Sequence, residues 1–584
     1  MEDVWVAGGM GLVPVPGAVA AEAGQVVWHG AGTPVRVVAD AGVFLAVAGD
    51  CRVSQGELRA GLKAVRAGRW TDLTRWPGSY WVVAQSGDRT FVAGDLAGIR
   101  GLFVAQTARG LAWASRAQTL AGALGTGPDL GLLAAQIVAG DDHWPQRSLF
   151  ERVREVPGGY GLLVTSGGYE LVDVRGLGGE RTFREGAEAV GAASRDAIEG
   201  YAAADERVSA DLSGGLDSST VVLTAAERRP VRAVTYGGPL SDREDLLFAA
   251  RVAELAGAEH IVSAGGPQTW HFSARPQAAT YGPVLSAATA GLDADYLAPV
   301  AGFSSVHLTG HGGDVVLEAS SAAFVSLVQR GEHRRAKEQV TAWARRRNCA
   351  PGPLWRAVRE AARPGWRGVA LDCAATSVRA GQAAVAPQVW GWCRIGPAVS
   401  WLTFRGRATV AALLAESADA HPAVDAGEWE DWAALRFNGQ TARDEMPLYT
   451  ALRVRPVHPF LDSTVVRACL SIPAHERRKT GMYKPLLAAA RPDLPLWLTG
   501  RRSKGNFTPL LIAGMRANRH MLTRMILSSP LTESGLIDPG EVTAALNAAA
   551  SGDARAPLAA LDQFFAASWW LSDLHAEISG GAWC

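Results

Sequence analysis

Cysteine is scarce in this chain. Six thiols in 584 residues stand at Cys51, Cys349, Cys373, Cys393, Cys469 and Cys584, and no two form a C-x-x-C pair. That spacing argues against a zinc ribbon or a disulfide framework and predicts a reducing, cytoplasmic setting. Net charge is also lacking, because 57 basic residues balance 57 acidic ones. No global field therefore favours nucleic acid or an anionic membrane. No apolar run reaches the roughly 20 residues needed to span a bilayer. The start, Met1-Glu2-Asp3-Val4-Trp5, lacks the basic and apolar regions of a signal peptide. Glycine-rich turns are present, but none ends in Gly-Lys-Ser/Thr, so a Walker phosphate loop is excluded. The remaining composition, 48% hydrophobic and 20% charged, is that of a globular protein long enough for two or more cores.

Against these absences stands one segment, Asp211-Leu212-Ser213-Gly214-Gly215-Leu216-Asp217-Ser218-Ser219-Thr220. It follows the strand-like run Arg207 to Ala210 and leads into the apolar helical pattern Val221 to Ala226. A strand, a Ser/Gly turn and a helix start present unpaired backbone N–H groups at the positive end of a helix dipole. That is an anion cradle. Gly214 and Gly215 allow close approach, and Ser213, Ser218, Ser219 and Thr220 add hydroxyl donors. Asp217 would repel a phosphate unless a cation lay between them, and Mg²⁺ would supply that bridge. The segment resembles the SGG-x-D-S pyrophosphate loop of enzymes that cleave ATP to AMP and pyrophosphate. The competing reading is a strand-to-helix turn with no ligand.

Residues up to about 180 read as mostly β, with a hairpin pattern at Ser79–Gln85 and Arg89–Ala93 and buried strands at Val43–Val47 and Gly161–Val164. From about Phe183 the period lengthens. Ala187 to Tyr201 is helical, and strand (Val231–Tyr236), helix (Asp242–Ala256) and strand (Ser305–Thr309) then alternate, which predicts a helix-covered parallel sheet. After Asp314 the pattern is almost wholly helical, broken at Pro351-Gly352-Pro353 and Pro364-Gly365. The basic stretch Arg330 to Arg347 is interspersed with Glu332 and Glu338, which suits an amphipathic helix with a solvated face better than a nucleic-acid site.

Several further segments resemble the asparagine synthetase family. Pro77-Gly78-Ser79-Tyr80-Trp81, Asp95 to Phe103 and Val156-Pro157-Gly158-Gly159 are similar to its amino-terminal glutaminase domain. Ser213 to Ser219, Gly310-His311-Gly312-Gly313-Asp314, His458 to Asp462 and Arg501-Arg502-Ser503-Lys504 are similar to its synthetase domain. The resemblance implies an α+β, glutaminase-like domain over 1–182, an Ntn-type β-sandwich. An α/β ATP-pyrophosphatase domain of the PP-loop type, with many helices, would follow over 183–584. Glutaminase members expose a cysteine at position two, where this chain has Glu2. The first domain is thus expected to be a scaffold that makes no ammonia. Members that take the amine from their own substrate are then favoured, namely β-lactam synthetases and, most of all, lasso-peptide cyclases.

The resemblance implies that ATP activates a carboxylate as an acyl-adenylate and that an amine then displaces AMP. Ser213, Gly214, Gly215 and Ser218 would hold the pyrophosphate end, and Asp217 and Asp314 would hold Mg²⁺. Thr235, Tyr236, Thr309 and Gly310 would line the nucleoside. Lys504 would neutralise charge in the transition state, with Lys484 a weaker second candidate. His311 would be, or would orient, the general base, the alternative being a structural histidine bonded to a carbonyl. A lasso-peptide cyclase would close a leader-free precursor peptide into a macrolactam and would work beside a leader peptidase and a leader-binding protein. Its peptide cavity is expected between the parallel sheet and the helices of about 320–440. The rivals are β-lactam synthesis, amidation by free ammonia, and a nucleotide-binding scaffold without turnover.

Overall fold

A computed structural model of the chain describes residues 5–9, 18–20, 27–384, 389–418, 424–501 and 505–579. The amino-terminal strands run β1 (Val6–Gly9), β2 (Ala18–Ala20), β3 (Val27–Gly30), β4 (Val35–Asp40), β5 (Val43–Cys51), β6 (Gly78–Ser86) and β7 (Arg89–Ala93). They continue as β8 (Phe103–Thr107), β9 (Gly110–Ala114), β10 (Arg154–Glu155), β11 (Tyr160–Thr165) and β12 (Gly168–Asp173). They build two six-stranded sheets, ordered β10-β8-β9-β1-β3-β2 and β12-β11-β7-β6-β5-β4. Every pairing in both is antiparallel. Alternation along β5 and β6 divides their side chains between two layers. Phe44, Ala46, Trp81 and Val83 fill the space between the sheets with Val92, Val104 and Trp113. Leu45, Val47, Val82 and Ala84 join a larger core on the other face.

The expected hairpin is β6–β7, in the register Ser86↔Arg89. The period then changes. Helix α1 (Phe183–Ala202) opens with a capping box, in which Thr182 and Glu185 satisfy each other's backbone N–H groups. Beyond it lies a five-stranded parallel sheet of β13 (Val208–Asp211), β14 (Val231–Tyr236), β15 (Glu259–Ser263), β16 (His307–Leu308) and β17 (Pro456–Val457). Its order is β15-β14-β13-β16-β17. The order reverses at β13, so the crevice for a ligand opens at the carboxyl ends of β13 and β16. Helix α2 (Leu216–Ala226) follows β13, and α3 (Arg243–Ala256) follows β14. Helix α4 (Gly313–Val316) follows β16, and much of the rest is helical, including α5 (Ala426–Asp444). The basic stretch forms an amphipathic helix, His333–Arg346, as expected. Among the described residues no helix is long and apolar enough to cross a membrane.

Candidate active site

The turn after β13 is shaped by its own hydroxyls. Ser218 Oγ accepts from the Ser213 backbone N–H at 3.1 Å and lies 3.0 Å from Ser213 Oγ. Gly214 sits at φ +74°, and a Cβ there would collide with the Asp245 carbonyl of α3. Only glycine meets both conditions. Gly215 caps α2 with no side-chain bond, so the helix start faces the crevice through its backbone. Ser219 is fully enclosed and Thr220 donates to the Leu216 carbonyl, so neither hydroxyl faces the crevice.

The second glycine-rich turn, 310–313, presses against the first. A Cβ on Gly310 would strike the Ser218 N–H, and one on Gly313 would strike the Asp217 carboxylate. This contact brings Asp217 and Asp314 to one place. Lys484 Nζ forms an ion pair with Asp217 and another, at 2.7 Å, with Asp314 Oδ1. Lys484 is 1% exposed, whereas the Asp314 side chain is 58% exposed and borders solvent. Burial pushes the Lys484 ammonium down, but the Asp217 and Asp314 carboxylates outweigh it and hold its pKa above the usual lysine value. Lys484 also adopts φ +46°, a left-handed conformation that costs a non-glycine residue of order 1 kcal/mol and that its ion pairs offset.

These side chains fit magnesium. A cation already sits between the two carboxylates in the form of the ammonium, and both are hard oxygen donors. Among the described residues no group of three or more metal-ligating side chains gathers, so phosphate oxygens and water would complete the shell.

His311 lies in the same turn. Its Nε2 is 3.0 Å from the Asn438 carbonyl of α5, so that nitrogen carries the proton and donates. Burial lowers its pKa below the ordinary histidine value, leaving a neutral ring with a basic Nδ1. The ring packs edge-on against His458 at 5.2 Å. Thr309 bonds His458 Nδ1 at 2.7 Å and accepts from the His311 N–H at 3.2 Å. At the end of β14, Thr235 bonds the Leu212 carbonyl and His260, and Tyr236 bonds Thr269. These residues therefore lie at strand ends beside the 213–218 turn.

Lys504 lies outside the described residues, as does Glu2. The flanks of Lys504 are nonetheless fixed. Arg501 donates to the Gly214 carbonyl at 2.6 Å and pairs with Asp245, and the Gly505 N–H bonds the same carboxylate at 3.1 Å. Arg501 is thereby tied to the 213–218 turn.

A buried polar set behind the loop carried no sequence signal. Tyr296 donates to Asp211 at 2.6 Å, and His307 bridges Asp211 and Ser209. Nearby, burial pushes Asp293 up to about 7 and Glu445 up to about 8. A cavity of about 430 Å³ lies between the amino-terminal sheets and α5, lined by Trp81 and Phe103 on one side and Phe437 and Gln440 on the other.

A family model described as asparagine synthase matches residues 189–572. No curated protein is significantly similar to the chain. The solved structure of the allosteric regulatory enzyme of purine biosynthesis aligns at 13% identity over 39% of this chain, with a TM-score of 0.16. The chain spans 62% of that protein's length.

Proposed function

We propose that the chain, which belongs to the asparagine synthase family, is an ATP-dependent amide-forming ligase and, within that class, a lasso-peptide cyclase. In this reading it joins the N-terminal amine of a leader-free precursor peptide to an Asp or Glu side chain of the same peptide. The observation that carries the ligase chemistry is the meeting of Asp217, Asp314 and Lys484 beside the 213–218 loop. The open, aromatic-walled cavity beside α5 supports a peptide over a small amino acid as substrate.

The chemistry follows from the placement of charge. Backbone N–H groups of the 213–218 loop and Lys484 would bind the polyphosphate of ATP, and Asp217 and Asp314 would hold Mg²⁺, which would supply positive charge to the phosphates. The peptide carboxylate attacks the α-phosphorus, pyrophosphate leaves, and Lys504 neutralises the developing charge. His311 takes a proton from the amine as it attacks the acyl carbon and AMP departs with the electron pair. Residues 1–182 serve as a glutaminase-like scaffold without ammonia production, and 183–584 carry the synthetase. A leader peptidase and a leader-binding protein would prepare the peptide in the cytoplasm.

The test is mass spectrometry of leader-free peptides encoded beside this chain, incubated with enzyme, ATP and Mg²⁺. Loss of one water with stoichiometric AMP and pyrophosphate is expected. An amide formed from ammonium salts without peptide would instead identify an ammonia-dependent amidotransferase, and cyclisation of a β-amino acid a β-lactam synthetase. No AMP with any substrate would leave a nucleotide-binding scaffold.

A further inference from the structure

The cavity between the amino-terminal sheets and α5 is built more specifically than a packing gap. Trp429, Ala433, Arg436, Phe437 and Gln440 all line it. Their spacing of four, three, one and three places them on one face of the helix. The facing wall carries Trp81, Gly98 and Phe103.

Most of the other arginines in this wall are ion-paired, and Arg116 lies over the Tyr281 ring at 4.7 Å. Arg100 and Arg455 share Asp50, and Arg443 pairs with Glu155 and Asp444. Arg147 reaches Glu416. The Arg436 guanidinium has no carboxylate at salt-bridge distance among the described residues. Its Nε donates to the Gly158 carbonyl at 3.0 Å, and the Tyr160 and Trp432 rings each lie 5.7 Å from it. The backbone anchor and the aromatic rings hold the fork in place and leave its two terminal nitrogens without a protein acceptor among the described residues. Burial pushes its pKa down to about 10, so the charge is held at a cost that an anion would relieve. A guanidinium held this way matches a carboxylate through two parallel hydrogen bonds.

We propose that this cavity is a recognition chamber for the body of the peptide substrate, and that Arg436 grips a peptide carboxylate other than the one that is activated. The proposal rests on the peptide-ligase reading above. The gripped carboxylate differs from the reacting one because Asn438, whose carbonyl accepts from His311, lies two residues beyond Arg436. Two residues turn about 200° around a helix, so the Arg436 side chain leaves α5 on a different face from that of Asn438. Asp141 and Asp142 also line the cavity, and a cationic peptide side chain suits their part of the wall.

Calorimetry on the full chain without ATP tests the site. The probes are hippurate, which mimics a C-terminal carboxylate, N-acetyl-aspartate N-methylamide, which mimics a side chain, and neutral hippuramide. At least one carboxylate is expected to bind one to one and at least tenfold more tightly than hippuramide, and which one binds identifies the source. Arg436→Met should weaken that binding at least tenfold, and Arg436→Lys should restore part of it. Equal binding of hippuramide, unchanged binding to Arg436→Met, or no binding of either carboxylate overturns the proposal. If Arg436→Met does not fold, Ala433→Trp, which fills the chamber, should abolish binding, and unaltered binding there counts against the site. Because ATP is absent, absence of turnover with every peptide would sink the ligase reading and leave this result standing.

Discussion

Replacing Lys484 by methionine isolates the charge balance of the site. The ammonium now lies between Asp217 and Asp314, 2.7 Å from the latter. Two carboxylate oxygens that share one ammonium stand roughly 5 Å apart. At an effective dielectric of about 20 their repulsion is then about 3 kcal/mol once the ammonium is gone. Lys484→Met keeps the length of the side chain, so little of the loss comes from packing. The variant should unfold several degrees earlier than wild type at neutral pH. Protonating one of the crowded carboxylates relieves the repulsion. Their pKa values are raised in the folded variant, so the deficit should shrink as pH falls from 7 towards 5. A divalent cation can take the place of the ammonium. Millimolar Mg²⁺ should therefore raise the melting temperature of Lys484→Met more than that of wild type, measured by thermal shift at fixed ionic strength. AMP-forming turnover should fall at least 100-fold, because the polyphosphate loses its buried cation. A variant that matches wild type in stability across this pH range and ignores Mg²⁺ would refute the shared-cation geometry.

Gly313→Ala should displace the Asp217 carboxylate that its methyl would strike. A stability loss of about 1–3 kcal/mol and near-complete loss of ATP turnover are expected, and unchanged turnover would show that the two turns tolerate separation. His311→Ala should lower kcat by about 10²–10⁴-fold and remove the acid limb of the pH–rate profile. In wild type that limb should lie below the ordinary histidine value because burial depresses the group. A limb that persists in the variant would exclude His311 as the base. Glu445, held up to about 8 by burial, is protonated at neutral pH in the folded chain and ionised in the unfolded one. Its contribution to stability is complete below the unfolded value near 4.3 and is lost as pH rises towards 8. Glu445→Gln should flatten that slope by a few kcal/mol in chemical unfolding, and an identical slope would place the titration elsewhere.

The strand, glycine turn and helix of 208–226 could be read from sequence because their determinants are local. Strand, glycines, hydroxyls and helix start occur within ten consecutive residues, and each acts on its neighbours. The partnership of Asp217 with Asp314 was legible only through the family's motifs, since the contact depends on Gly310 and Gly313 lying against the other turn. Lys484 was underrated for a physical reason. A lysine in Met-Tyr-Lys-Pro normally projects into water, and its burial follows from two carboxylates, one of them 267 residues distant in the chain. β17 was not legible either, because two residues beginning with proline carry no alternation, and the strand exists only through its pairing with His307 and Leu308. Arg436 was missed because an arginine in an amphipathic helix reads as a solvated charge, whereas here the amino-terminal sheets face it.

That last point gives the amino-terminal region a physical role apart from ammonia production. Its strands do not form a separate lobe, since one continuous core runs from Leu45, Tyr80 and Phe91 through Val190 and Leu212 to Leu461. The backbone of α5 approaches it so closely that a Cβ on Gly439 would collide with the Ala97 carbonyl. On its other face α5 holds His311 through Asn438 and buries Asp431 against Arg477. The helix therefore fixes the wall of the cavity and the histidine of the glycine-rich turn as one rigid piece. Loss of the amino-terminal sheets would open the cavity and leave α5 without the surface that sets its position. Retention of this region therefore follows from packing, whether or not it ever carried a glutaminase.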